Sequence, residues 1–131
     1  MSDQAEQMEI QSHKGPYFAY FDEHGLEKLC QNIPEQTHFI IDDRVAELYK
    51  ASMNNVLASN SVLRLTATEN AKSLEHFPKY VDHLVDHTIR RDHILIAIGG
   101  GVIQDITCFL ATTMLRGVDW RFYPTTLLAQ A

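Results

Sequence analysis

The chain has 131 residues, 45% of them hydrophobic and 21% charged, which suits one domain with a buried core and excludes a disordered tail. Asp and Glu number 17 against 11 Lys and Arg, and a formal net charge of -6 speaks against the basic face of a general nucleic-acid binder. No apolar run approaches the roughly 20 residues of a membrane span, and the opening MSDQAEQMEI has neither the basic nor the apolar region of a secretory signal, so a cytoplasmic protein is expected.

Residues 1–7 are polar and are expected to fray. Residues 8–21 read as extended, with a turn at Lys14-Gly15-Pro16. A short helix is expected over 25–33, with Leu26, Leu29, Cys30 and Ile33 on one face. The apolar run at 38–43 ends in two carboxylates and reads as a buried parallel strand. Residues 45–57 follow as a helix with Val45, Leu48, Tyr49 and Met53 at helical spacing, and 62–66 as a second strand. A helix is expected over 73–90, capped by Ser73, with Leu74, Phe77, Tyr80, Val81, Leu84, Val85 and Ile89 inward. Pro78 removes a backbone donor inside that pattern and predicts a kink or a late start. The clearest strand, 93–98, runs straight into Gly99-Gly100-Gly101. Residues 102–115 form the next helix, stopped at Arg116-Gly117 by a left-handed Gly117. A last strand over 118–123 leads to Pro124-Thr125-Thr126, which turns into another helix.

Strands alternating with long helices imply βαβ units, hence an α/β domain with a Rossmann-like parallel sheet and helices on both faces. Ligands of such sheets sit beyond the carboxyl ends of the strands, where Asp42, the triple glycine and Pro124-Thr125-Thr126 all fall. A strand entering three glycines and then a helix is a phosphate-cradling arrangement: the glycines admit close approach, and the helix start offers free N–H groups. The spacing is not GxGxxG. Asp42 suits the hydroxyls of a ribose or the cap of the next helix, a role for which Asp43 is better placed. Asp105, expected on the first turn of its helix, suits either the helix dipole or a bound cofactor. Thr125 and Thr126 suit a cap or a ligand. Glu69 and Lys72 read as a solvated pair, and Arg116 as a charge at a helix C-terminus. Cys30 and Cys108 have no metal or disulfide spacing, and the seven histidines read as scattered.

The segment GGGVIQDITCFLATTMLRGVDWRFYPTTLLAQ, residues 99–130, resembles the 3-dehydroquinate synthases and the wider sugar phosphate cyclases, where GGG-V-x-x-D leads through an Arg-Gly pair to PTTLLA. TENAKSLE at 68–75 resembles that family's GEQYKSLE, and FIIDDRVAELY at 39–49 its strand followed by TDENVAPLY. The resemblance implies that residues 1–131 are an N-terminal NAD-binding domain whose C-terminal helical, metal-binding domain is absent, so that this chain alone is inactive. By matched position it implies that Asp42 meets the adenosine ribose and that Glu69 and Lys72 lie along the cofactor. It likewise implies that Gly100, Gly101 and Val102 cradle the pyrophosphate, that Asp105 lies near the nicotinamide, and that Thr125 and Thr126 also touch NAD. By the same resemblance Arg116 matches an arginine that reaches the substrate phosphate of a neighbouring subunit, which implies a homodimer. No catalytic residue and no ligand of the divalent metal, zinc or cobalt, is expected in this chain.

The chemistry so implied begins with hydride transfer from a sugar-phosphate carbinol to NAD, which acidifies the neighbouring C–H and permits loss of phosphate. The hydride then returns, the ring opens and an intramolecular aldol closes the carbocycle, with no net redox change. The family reaction converts 3-deoxy-arabino-heptulosonate 7-phosphate to 3-dehydroquinate in the shikimate pathway. Two substitutions depart from the pattern: Ala67-Thr68 replaces Asp-Gly, and Gln104 replaces the glycine before Asp105. The second resembles the 2-epi-5-epi-valiolone type of cyclase. Iron-dependent alcohol or glycerol dehydrogenases share the turn but not Leu127-Leu128-Ala129-Gln130 after PTT. A non-catalytic nucleotide-binding remnant is the alternative of another class. An exposed apolar patch is expected where a second domain would pack.

Overall fold

A computed structural model of the chain describes residues 7–12, 15–20 and 25–125, with side chains described over 25–125. Six strands form one sheet: β1 (Gln7–Ser12), β2 (Gly15–Tyr20), β3 (Thr37–Asp42), β4 (Val62–Leu65), β5 (Ile94–Gly99) and β6 (Asp119–Pro124), in the order β1-β2-β6-β5-β3-β4. β1 pairs antiparallel with β2, and every other pairing is parallel. The helices are α1 (Gly25–Gln31), α2 (Asp43–Leu48), α3 (Asn54–Leu57), α4 (Phe77–Asp86) and α5 (Gly101–Thr113). Two 3-10 turns, Glu69–Lys72 and Met114–Arg116, complete the elements among the described residues.

The central strands are apolar on both faces, as a parallel sheet between helices requires. Alternate side chains enter different cores. Phe39, Ile41, Ile96 and Ile98 pack with Leu26, Leu29, Val45, Met53 and Val56 of the α1–α3 side. Ile40, Leu95, Ala97 and Phe122 pack with Tyr80, Leu84, Ile103, Ile106 and Leu110 of α4 and α5. The Rossmann-like α/β class expected from the strand–helix alternation is the observed one. From β3 the chain crosses outward to β4 over one face. From β4 it returns past β3 to β5, and then goes on to β6, over the other face. Neighbouring β3 and β5 therefore send their connections in opposite directions, and a crevice opens between their carboxyl ends.

Several expectations need correction. The helix expected over 45–57 is two short helices, α2 and α3, joined by turns. The intervening Ser52 and the Asn54-Asn55 pair that opens α3 hold a helix weakly, and Asn55 donates its side-chain amide to the Cys30 carbonyl (3.1 Å), pinning α3 to α1. Leu48 consequently points outward, 69% exposed. The 73–90 helix starts late, at Phe77, with Pro78 in its first turn, where a missing N–H costs nothing, and it ends at Asp86. Ser73 is not its cap but closes the preceding 3-10 turn, and Leu74 (74%) and Val85 (58%) are exposed. α5 ends at Thr113, and left-handed backbone begins at Leu115 (φ 51°) and Arg116 (φ 64°), before Gly117 (φ 106°). Gly15 and Pro16, expected in a turn, are the first residues of β2. The helix expected after Thr125 lies outside the described residues.

Candidate functional site

The crevice is built from three strand ends. Asp42 ends β3, Gly99 ends β5, and Pro124 ends β6 in register with Gly99. Thr125 donates its N–H to the Gly99 carbonyl (3.0 Å), which brings the PTT turn to the glycine loop.

The three glycines have different reasons. A Cβ on Gly99 would lie 2.7 Å from Ile103 Cγ1 and 3.2 Å from Asp42 Cβ, so only glycine lets β3, β5 and α5 close up there. A Cβ on Gly100 or Gly101 would meet nothing within 4 Å. Packing does not forbid a side chain at those two positions, and the open space lies at the start of α5. Gly100 caps α5 in extended backbone, no side chain caps the helix, and its first turn holds no carboxylate. The free N–H groups and positive dipole end of a 13-residue helix thus face open space, an environment suited to an anionic group.

Asp42 is half-buried and is itself the cap of α2: its Oδ1 accepts the Arg44 N–H at 2.9 Å. This reverses the expected assignment. Asp43 is instead paired with Arg64 of β4, which donates to Asp43 Oδ1 (2.7 Å) and Glu47 Oε1 (2.9 Å). A carboxylate capping through one oxygen keeps its second for a ligand hydroxyl.

The Glu69–Lys72 turn lies against α5. Lys72 Nζ bridges Glu69 Oε2 (2.9 Å) and Asp105 Oδ2 (3.1 Å), and these hydrogen bonds, Glu69 first, raise its pKa. Asp105 lies beyond the first turn of α5, not on it as expected, so its partner is Lys72 rather than the helix dipole. Buried Tyr80 of α4 holds the turn by donating its hydroxyl to the Ala71 carbonyl (2.9 Å), and burial raises the Tyr80 pKa. Sequence reasoning placed Tyr80 inward but gave it no part in the site, because the contact depends on how α4 folds back on the turn.

Arg116 stands exposed on its left-handed turn, and forms no ion pair among the described residues. The turn is held by Gly117 N–H to Met114 O (2.6 Å) and Val118 N–H to Ala111 O (2.7 Å). The structure thus brings together Asp42, Gly100, Gly101 and Thr125, sets Glu69, Lys72 and Asp105 in one ion-pair group against α5, and leaves Arg116 apart at the far end of that helix. Val102, half-buried, opens the first turn of α5. Thr126 lies outside the described residues.

Among the described residues, the exposed large apolar side chains are Leu48, Leu74, Val85, Phe109 and Leu115, spread over several elements. Among the described residues, no group of three His, Cys, Asp or Glu side chains is placed to hold a metal ion, and no helix is long and apolar enough to cross a membrane.

Residues 62–131 match the family model for the 3-dehydroquinate synthase N-terminal domain. The 3-dehydroquinate synthase of Staphylococcus haemolyticus is 36% identical over 112 residues, covering 82% of this chain and 32% of that protein. That of Listeria monocytogenes serotype 4a is 33% identical over 129 residues, covering 92% of this chain and 35% of that protein. That of Dichelobacter nodosus is 40% identical over 93 residues, 70% of this chain and 25% of that protein. The chain therefore spans about a third of the length of such relatives. Among solved structures, 2-deoxy-scyllo-inosose synthase superposes with a TM-score of 0.66 at 23% identity, over 92% of this chain and 36% of that one. The same enzyme complexed with carbaglucose-6-phosphate, NAD+ and Co2+ superposes with a TM-score of 0.66 at 24% identity, over 92% of this chain and 35% of that one. That likeness extends the shared fold beyond the span of the family model, and the match over residues 62–131 places the chain in the 3-dehydroquinate synthase family.

Proposed function

We propose that this chain is the NAD-binding half of a 3-dehydroquinate synthase-like sugar phosphate cyclase. The observation that carries the reading is the open space over Gly100 and Gly101, at a helix start that no side chain caps and at the switch point between β3 and β5. A dinucleotide fits that space: its pyrophosphate over the first-turn N–H groups of Gly101 and Val102, its adenosine ribose on the second oxygen of Asp42. Glu69 and Lys72 lie along the cofactor and Asp105 towards its nicotinamide end. There Lys72 offsets the charge of the two carboxylates, so that the anionic cofactor is not repelled. Thr125 and Thr126 close the crevice on the β6 side. NAD, when bound, takes a hydride from a sugar carbinol and returns it later in the cycle.

The left-handed turn presents Arg116 outward, where it serves the substrate phosphate of a second subunit in a cytoplasmic homodimer. The described residues do not fit a divalent metal, so the metal of the proposed reaction is assigned to a second, metal-binding domain. The shikimate reaction is the primary reading. Gln104, half-buried next to Asp105 on α5, favours a second one, a cyclase of the valiolone type.

Phosphate release by the gene product carrying this chain, supplied with NAD+ and Co2+, tests the reading. Turnover of 3-deoxy-arabino-heptulosonate 7-phosphate supports the first substrate, and turnover of sedoheptulose 7-phosphate the second. Release from neither, by a folded protein that binds NAD+, would contradict cyclase activity and leave a nucleotide-binding protein.

A further inference from the structure

The opposite end of the sheet carries a second polar system, unconnected with the crevice. Four of the seven histidines are not scattered. His38 in β3, His93 just before β5, His83 on α4 and His87 capping the end of that helix gather around Ser61, just before β4. His38 and Ser61 are each 3% exposed. Ser61 Oγ lies 2.7 Å from His38 Nδ1 and 3.4 Å from His83 Nε2, while His38 Nε2 lies 2.9 Å from His93 Nδ1. The rings stack in pairs, His38 on His93 at 5.1 Å and His83 on His87 at 4.1 Å.

The bonds specify where the protons sit. The Arg90 backbone N–H donates to His93 Nδ1 (3.2 Å), so that nitrogen carries no hydrogen. The bond between the two rings must then be donated by His38 Nε2–H. This leaves His38 Nδ1 bare, and it accepts the Ser61 hydroxyl. Ser61 Oγ in turn receives His83 Nε2–H. The chain of donors runs one way, from α4 through Ser61 and β3 to the loop before β5, and the His38 ring, donating at Nε2 and accepting at Nδ1, is neutral in it. The inward lone pair of His38, on Nδ1, is already taken by the Ser61 hydroxyl, and one more proton there breaks that hydrogen bond and puts a cation among imidazoles.

Among the described residues, carboxylates stand only at the margin. Asp86 is on α4, Asp92 Oδ1 lies 4.0 Å from His93 Nε2, and Glu35 lines the adjoining cavity. That cavity, about 570 Å³, is also lined by His38, Ser61, His87, His93 and Asn60, and gives solvent a route to the network. The Asp86 charge favours a proton on His83, though burial and His87 outweigh it and hold the His83 pKa down. Nothing comparable reaches His38, whose pKa burial and then His93, His87 and His83 lower to about 4.

We propose that this network is an acid-sensitive latch, which ties β3, the leads into β4 and β5, and α4 together while His38 is neutral, and releases them when His38 takes up a further proton. The folded state resists that proton, whereas the unfolded chain accepts it near 6.5. The stability is therefore fully present above about pH 6.5 and is lost as pH falls towards about 4.

Histidine NMR titration of the whole chain, with urea unfolding at pH 7 and pH 5, tests the latch. The expected results are a His38 ring still neutral at pH 5 and an unfolding constant that rises more than tenfold between the two conditions on account of His38. His38→Gln, neutral throughout, is expected to start less stable and lose most of that acid sensitivity. Ser61→Ala, which frees one lone pair of His38, is expected to raise the His38 titration midpoint, and it serves if His38→Gln does not fold. A His38 midpoint at the ordinary 6.5 in the unsubstituted chain, or an acid response unchanged in His38→Gln, would overturn the proposal.

Discussion

Gly99 and Gly101 stand two residues apart, and substitutions at them should separate folding from binding. Gly99→Ala drives a methyl against Ile103 and the Asp42 Cβ, and should cost about 1–3 kcal/mol of stability, measured by urea unfolding. Gly101→Val meets open space, and so should leave stability within about 1 kcal/mol, while isopropyl bulk over the helix start lowers nucleotide affinity at least about tenfold. The run GGG was legible in the sequence as a phosphate cradle, but not which glycine serves packing and which serves the ligand. That division depends on Ile103 and Asp42 being nearby in space. The capping carboxylate was misread for a similar reason. Spacing favoured Asp43, yet Arg64 on the neighbouring strand claims it, and Asp42 turns to the Arg44 N–H. Asp105→Asn breaks an exposed ion pair and should change stability by no more than about 0.5 kcal/mol.

At the scale of elements, two turns present the proposed ligand groups, and each is held differently. The 3-10 turn with Glu69 and Lys72 hangs on one buried bond from Tyr80 to Ala71. Tyr80→Phe keeps the ring in the core but leaves that carbonyl without its donor, and should cost about 1–2 kcal/mol with a further loss of nucleotide affinity, both readable by calorimetry. The turn at Met114–Arg116 holds two consecutive side-chain-bearing residues in left-handed backbone, which costs roughly 1–2 kcal/mol each. Leu115 is 45% exposed, so Leu115→Gly gives up little burial and should stabilise the protein by about 0.5–1 kcal/mol in thermal unfolding. Apolar spacing predicted a helix running through Leu115 because Met114 and Leu115 continue its pattern. The stop lies earlier because Val118 N–H returns to Ala111 O and ties β6 to the last turn of α5. Pro78 was the more dependable signal: a residue without an N–H belongs in a first turn, and that is where α4 begins.

Across the whole molecule, β3 and β5 link two polar ends. His38 and Asp42 lie at opposite ends of β3, as His93 and Gly99 do along β5 and its lead-in. The alternation of strands and helices made the parallel sheet legible, and the doubly apolar strands made its burial so. Strand order was not legible, because nothing local to the 38–43 run says that β5 and not β6 lies beside it. The β3–β5 neighbourhood arises only when the crossover direction reverses after β4. The histidine network was hidden by the same distance in sequence: its members come from β3, α4 and two loops, and only His83 and His87 are close enough along the chain to be read as a pair. The crevice at that reversal is the centre of the functional account. Isothermal titration of NAD+ into this chain, beside the Gly101→Val variant, tests it most directly. The account predicts one saturable site per chain, lost or weakened at least about tenfold in a variant that unfolds like the parent. No binding by the parent, or equal binding by the variant, would contradict it.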